Sequence, residues 1–386
     1  MPDPIYLDYN ATTPIDPEVA KAMLPYLYTH FGNPSSSHPY GMIAKQAVET
    51  ARSQVAELIN CSSAEILFTS GGTESNNFAL RGIARANQNS GNHIITTAIE
   101  HPAITAVFSW LKSQGFEISI LPVDKFGLVN PIDLEKAITP QTTLVSIMHA
   151  NNEVGTIQPI QALSDITHQQ GALFHTDAAQ SVGKIEVDVE EMGVDLLSVA
   201  GHKVYAPKGV GALYVRKGIR LPNLMFGAGH ESGRRPGTEN VLQIVGLGKA
   251  CEIVLRDLKK NQTHFKQVRD QLQNELTTAL GDEQIRLNGH PEKRLPNTIS
   301  LSFKNIAANQ LLAEIQTLVA ASAGSACHAD QVTVSDVLKA MRVPLEWAMG
   351  TIRFSVGRGT TAEKINQAGD AIVNAVQKLS AFTPII

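Results

Sequence analysis

Leu196-Leu197-Ser198-Val199-Ala200-Gly201-His202-Lys203 runs from an apolar segment into a lysine, and Gly211-Ala212-Leu213-Tyr214-Val215 follows after a short connection. Both runs have the length and composition of buried strands. A lysine between two such strands is uncommon, because its charge must be matched or removed. Upstream, Glu65–Ser70, His93–Thr97, Glu117–Leu121, Thr143–Met148 and Leu173–Asp177 read as strands too, separated by helix-length stretches. That alternation implies crossover connections and a mostly parallel sheet flanked by helices, an α/β architecture. Ligands of such sheets bind where loops leave the carboxyl ends of the strands, so the residues at those exits carry the functional reading.

Working outward, Asp16-Pro17-Glu18 is a helix start, with an acid at the cap and proline at the first helical position. Phe265, Val268, Leu272 and Leu276 mark one apolar helix face. The 386 residues suffice for about two domains. The expected division gives a large domain over 16–260 and a smaller α+β domain over 261–386 with 1–15. Apolar content of 43% and charged content of 18% describe an ordinary globular chain. A net charge of −4 gives no basic surface for nucleic acid. No apolar run is long enough to span a membrane, and Met1-Pro2-Asp3-Pro4 does not open like a signal peptide, so a cytoplasmic location is expected. Cys61, Cys251 and Cys327 are sparse and lack metal-ligand spacing, which argues for reduced thiols. His230-Glu231 has no second histidine at helical spacing, and no metal is expected.

Five segments at strand exits hold unusual chemistry. Ser70-Gly71-Gly72-Thr73-Glu74 can cradle an anion at a helix start, although a tight turn would look the same. Glu100-His101-Pro102 offers a flat imidazole for stacking, and Ala150-Asn151-Asn152-Glu153 an amide, where ordinary loop residues are the plain alternative. In His175-Thr176-Asp177-Ala178-Ala179-Gln180-Ser181 an acid ends a strand and needs a cationic or hydrogen-bonding partner, or serves as a cap. Lys203, if held in a dry place, loses its proton readily or forms an imine; its stem could instead lie buried while the amine reaches water. Together an anion cradle, a stacking ring, a carboxylate and a buried lysine make the kit for pyridoxal phosphate.

Tyr6-Leu7-Asp8-Tyr9-Asn10-Ala11-Thr12-Thr13-Pro14, Thr69–Asn77, Asn151–Gly155, Asp177–Ser181, Gly201-His202-Lys203 and Gly324-Ser325-Ala326-Cys327 resemble the cysteine desulfurases, class V members of the aminotransferase-like fold. The match runs from Tyr6 to about Thr361. The resemblance implies the type I fold of pyridoxal-phosphate transferases. It makes Lys203 the imine lysine, His101 the catalytic stacking ring and Asp177 the pyridinium partner. Asn152 and Gln180 would reach the cofactor hydroxyl, while Gly72, Thr73 and His202 would hold the phosphate. Thr238 would join them from a neighbouring subunit, which implies a homodimer.

Ala321–Ala326 is a stretch of small residues with little to bury, and it reads as a loop able to swing. The resemblance makes Cys327, just after it, the nucleophile, whereas Cys251 reads as a buried small hydrophobe. In Thr351–Val356, alternation turns Arg353 away from Ile352 and Phe354, and its planar fork suits a substrate carboxylate, with Asn152 also near the substrate. Arg358 is the lesser candidate. The implied reaction converts L-cysteine to L-alanine and leaves a persulfide on Cys327 for an acceptor protein such as an iron–sulfur scaffold.

Two departures stand out. Ala200 replaces a serine that gives many relatives a further phosphate contact. Cys327-His328-Ala329-Asp330 and Arg235–Asn240 look closer to the selenocysteine lyases, which makes L-selenocysteine the alternative substrate. More distant readings are a transaminase of the same fold and a non-catalytic scaffold for a sulfur acceptor.

Overall fold

The computed structural model describes residues 3–328 and 331–382, with the side chains of 325–328, 331–333 and 382 outside the description. After the short β1 (Ile5–Tyr6) come β2 (Ile66–Thr69), β3 (His93–Thr97), β4 (Glu117–Leu121), β5 (Thr142–Ser146), β6 (Leu173–Asp177), β7 (Leu196–Ala200) and β8 (Gly211–Val215). β2 to β8 form one seven-stranded sheet in the order β2-β8-β7-β6-β5-β3-β4. Its β4, β3, β5, β6 and β7 run parallel, and β8 lies antiparallel between β7 and β2. Five of the strands have the bounds their composition predicts. β2 begins one residue late because Ser62 and Glu65 close a capping box around a 3-10 turn. β5 runs from Thr142 to Ser146 rather than 143–148, and beyond it Ile147 and His149 still donate to carbonyls of His175 and Asp177.

Period-two alternation explains how one sheet builds two cores. Leu67, Leu144, Leu196 and Leu213 face the helices Gly72–Asn87 and Pro102–Ser113, where Phe78, Ile83, Ile104 and Phe108 meet them. Their neighbours Ile66, Val145, Leu197 and Tyr214 face the helices Pro39–Leu58 and Ile160–Gln169 and the first part of the helix Val241–Leu280. With each such side chain contributing about 1.5–3 kcal/mol on burial, the sheet is fixed from both sides. The strand exits therefore stay in place.

The C-terminal part holds β9 (Ile285–Asn288), β10 (Thr298–Phe303), β11 (Val319–Ala320), β12 (Ser322–Ala323), β13 (Ser325–His328), β14 (Gln331–Val334) and β15 (Thr351–Ser355). An antiparallel sheet in the order β12-β15-β10-β9 is covered by the helices Ala308–Ile315 and Ala362–Phe382. β1 pairs in parallel with β11, and Leu7 lies in this second core. The forty-residue helix Val241–Leu280 is common to both parts: Leu247 and Val254 sit in the first core, Phe265 and Leu272 in the second. The segment read as a loop before Cys327 is strand instead: Ser322 and Ala323 pair with Arg353 and Ile352, and Cys327 lies opposite Val332 in the β13–β14 hairpin. Among the described residues no helix is long and apolar enough to cross a membrane.

Candidate active site

A cavity of about 450 Å³ opens at the carboxyl ends of the parallel strands, where the two parts meet. Gly72, Thr73, His101, Asn152, Asp177, Gln180, His202, Lys203 and Arg353 all line it. Thr238 is exposed on a segment outside this cavity. Cys327 has its backbone in β13, while its side chain lies outside the described residues.

After β2 the chain turns through Gly71, whose φ of 148° suits glycine, into the helix Gly72–Asn87. No side chain caps that helix, so its first amides stay available. A Cβ added at Gly72 would stand 3.3 Å from Ala200 Cβ, so two small residues leave the floor of the site open. Glu74 faces away from this floor, pairing with Ser70 N and Arg235.

Asp177 is fixed on both oxygens. One accepts from Asn76 Nδ2 at 2.7 Å and the other from Ala179 N at 2.9 Å. His101 caps the helix Pro102–Ser113, accepting from Ala103 N on Nδ1, which leaves the ring proton for Nε2. Burial pushes this imidazole down; the Asp177 charge opposes the shift and Lys203 adds to it. His202 is pushed down to about 4 by burial first and by Lys203 next, and its Nδ1 meets Thr12 Oγ1 at 3.1 Å.

Lys203 ends the 3-10 turn after β7, and its Nζ donates to the carbonyls of Asn10 and Ala11. Burial brings the amine down to about 8; Arg353 pushes the same way, while Asp8 and Asp177 oppose. In the alternation of β15, Ile352 and Phe354 enter the second core and Arg353 turns into the cavity. Its Nη2 pairs with Asp8 at 2.6 Å, its Nη1 donates to the Asn152 carbonyl, and its Nε has no partner among the described residues. Arg358 is committed elsewhere, to Asp16 and over the Tyr205 ring.

Sequence reasoning passed over Asn10, Asn76, Asp8 and Lys184. Asn10 is buried and takes hydrogen bonds from Gln180, Lys184 and Lys203 while donating to Thr298 and the Asn152 carbonyl. The available signal was a polar residue on an apolar face: Asn76 lies among Ser75, Phe78 and Ala79, all buried on one helix.

The description of the aminotransferase class-V family matches residues 5–367. The chain belongs to the class V aminotransferases. Within them it is similar to cysteine desulfurase IscS of Dictyoglomus turgidum, 47% identical with 98% of this chain and 96% of that protein covered. It is 44% identical to cysteine desulfurase IscS of Methanosarcina thermophila, over 99% of this chain and 94% of that one. A solved NifS-like protein superposes with a TM-score of 0.90 at 37% identity, covering 98% of this chain and all of the other. A structure described as SspA in complex with cysteine gives 0.79 at 34% identity, over 92% of this chain and all of the other. Relatives this similar carry the name cysteine desulfurase, which decides against selenocysteine lyase despite the Cys327–Asp330 and Arg235–Asn240 stretches.

This class V chain fits the pyridoxal 5'-phosphate on which its family works. The uncapped helix start and the open Gly72–Ala200 floor suit a phosphate, the clamped Asp177 suits a ring nitrogen, and the Lys203 amine suits an aldehyde.

Proposed function

We propose that this cysteine desulfurase converts L-cysteine to L-alanine with pyridoxal 5'-phosphate linked to Lys203, and passes the sulfur through Cys327 to an acceptor protein such as an iron–sulfur scaffold. The observation that carries the reading is one cavity that gathers a lysine held near 8, a doubly clamped aspartate and a neutral histidine. When bound, the cofactor supplies an electron sink that makes the α-proton of an amino acid removable.

The chain's own residues do the rest. Asp177, held by Asn76 and Ala179 N, keeps a carboxylate where a protonated ring nitrogen would lie. The Gly72 and Thr73 amides and His202 would hold the phosphate, joined by Thr238 of a second copy. Asn152 and Gln180 would hold the ring hydroxyl, and His101 would cover the ring. Burial brings the Lys203 amine down to about 8, which suits it to accept and return a proton near neutral pH. Arg353, which turns into the cavity, brings its guanidinium to the substrate carboxylate. The Cys327 thiolate then attacks the substrate sulfur; the Cβ–S bond breaks, its electron pair stays on the carbon, which takes a proton on the way to alanine, and the sulfur remains on Cys327 as a persulfide. The large part, 16–260, carries the cofactor, and the small part, 261–386 with 1–15, carries the cysteine. The enzyme works as a homodimer in the cytoplasm.

The test incubates purified protein with cysteine and follows alanine, visible absorbance and the mass of the Cys327 peptide. A yellow protein that forms alanine and gains one sulfur on that peptide is expected. Protein that stays colourless when supplied with the cofactor overturns the reading.

A further inference from the structure

Lys184 is 4% exposed, yet it makes no ion pair with a carboxylate among the described residues. Its Nζ donates to two neutral oxygens, Gln180 Oε1 at 2.6 Å and Asn10 Oδ1 at 3.1 Å. A neutral amine has two N–H groups and so matches two acceptors, whereas an ammonium would leave a proton unmatched in a dry site. Burial, reinforced by Lys203 and Arg353, pushes this lysine well below its ordinary value, in agreement with that count. Packing alone would favour an apolar side chain here, because an unpaired buried amine costs stability.

Both acceptors are wired to Lys203. Gln180 Nε2 donates to the Asn10 carbonyl at 3.1 Å, and the same carbonyl receives Lys203 Nζ. Asn10 Nδ2 reaches Thr298 Oγ1 and the Asn152 carbonyl, while Asn297 Nδ2 joins Lys184 on Asn10 Oδ1. With both of its N–H groups donated to Gln180 Oε1 and Asn10 Oδ1, Lys184 favours the arrangement in which these amides turn their oxygens toward it and their nitrogens away. A flipped Gln180 would set its oxygen against the Asn10 carbonyl oxygen and push away the group on which Lys203 rests.

We propose that Lys184 is a positioning residue: its amine fixes the amide orientation of Gln180 and Asn10 and, through the Asn10 carbonyl, the place of the Lys203 amine. The inference rests on the reading of Lys203 as the cofactor lysine. It assigns a use to a buried lysine that the reaction itself does not touch.

The experiment uses the full chain stripped of cofactor, as wild type, Lys184→Met and Lys184→Gln. Thermal midpoint is measured first, then the rate and affinity with which added pyridoxal 5'-phosphate develops the visible band of the Lys203 linkage. Methionine fills the space and removes both donors, so Lys184→Met should melt at or above the wild type. It should form the band about tenfold more slowly and hold the cofactor about tenfold more weakly, the effect of roughly one lost hydrogen bond. Lys184→Gln keeps a donor and should fall between the two. Lys184→Met with wild-type rate and affinity overturns the inference, whatever its melting point. If Lys184→Met does not fold, the same readouts on Lys184→Gln decide, and wild-type behaviour there overturns it equally. Wild-type protein that forms no band removes the reading of Lys203 and the inference together; a wild-type band with unaffected variants removes the inference alone.

Discussion

Glu100 precedes His101 and lies 8% exposed. One oxygen accepts from Thr97 Oγ1 and Met148 N, the other has no partner among the described residues, and burial with the Asp177 charge pushes the carboxyl up to about 8. Burial alone pushes His149 down to about 4 and His175 to about 3. These shifts act on stability with opposite signs. Between pH 6.5 and 4.5 an unfolded chain protonates both histidines while the folded one does not, so the folded state loses ground as pH falls. Over the same window the folded chain keeps the Glu100 proton and the unfolded chain gives it up, so Glu100 offsets one of the two. His202 acts with the histidines, and Glu153 with Glu100. Glu100→Gln removes the offset and should steepen the loss of unfolding free energy by about 1.4 kcal/mol per pH unit. Denaturant midpoints at several pH values between 6.5 and 4.5 measure it, and parallel slopes for variant and wild type would show that Glu100 is ionised in the fold.

Among elements, five of the seven strands of the large sheet were placed with their observed bounds, four as buried short apolar runs and β4 as a partly exposed strand at the sheet edge. The two whose bounds shifted, β2 and β5, are just as buried, so their ends were set by local capping and pairing rather than by burial. The segment before Cys327 was misread because its pairing is long-range. Ser322 and Ala323 find their partners on β15, some thirty residues on, and nothing in Ala321–Ala326 encodes that distance. In the site, residues with a chemical signature such as Lys203 and Asp177 were readable from sequence. Those acting through amide orientation, such as Asn10 and Asn76, were not, since an amide looks the same in a loop and in a hub. Gly324 joins the two levels: its N donates to the Thr351 carbonyl at 2.8 Å, and a Cβ there would stand 2.7 Å from Thr351 Cγ2. Gly324→Val should therefore displace the segment leading to Cys327, a disruption of overpacking type. Alanine formation from cysteine should fall about tenfold or more while the yellow colour persists. Undiminished turnover would show that the segment's register does not matter to the thiol.

For the whole molecule, the exposed apolar residues gather on the N-terminal helices and the 222–240 segment. Tyr28, Phe31 and Phe226 are 75%, 78% and 81% exposed, and Ser35 meets His230 across the two regions. Thr238, expected to serve the phosphate, belongs to this side and not to its own chain's cavity. Such a surface suits a second copy of the chain. Phe31→Asp with Phe226→Asp should sediment as one chain of 41.6 kDa and hold the cofactor more weakly, whereas a persistent dimer would place the interface elsewhere.

The parallel pairing of β1 with β11 also governs when a site can exist at all. Ile5 and Tyr6 leave the ribosome first, yet their partners are Val319 and Ala320, and Arg353 of β15 follows later still. Asn10, the hub beneath Lys203, reaches across to Thr298 and Ser355. At about 5–20 residues per second, the opening segment waits on the order of twenty to seventy seconds for those residues. A nascent chain can complete its large sheet during that interval, but it holds no finished catalytic centre until Arg353 has been translated.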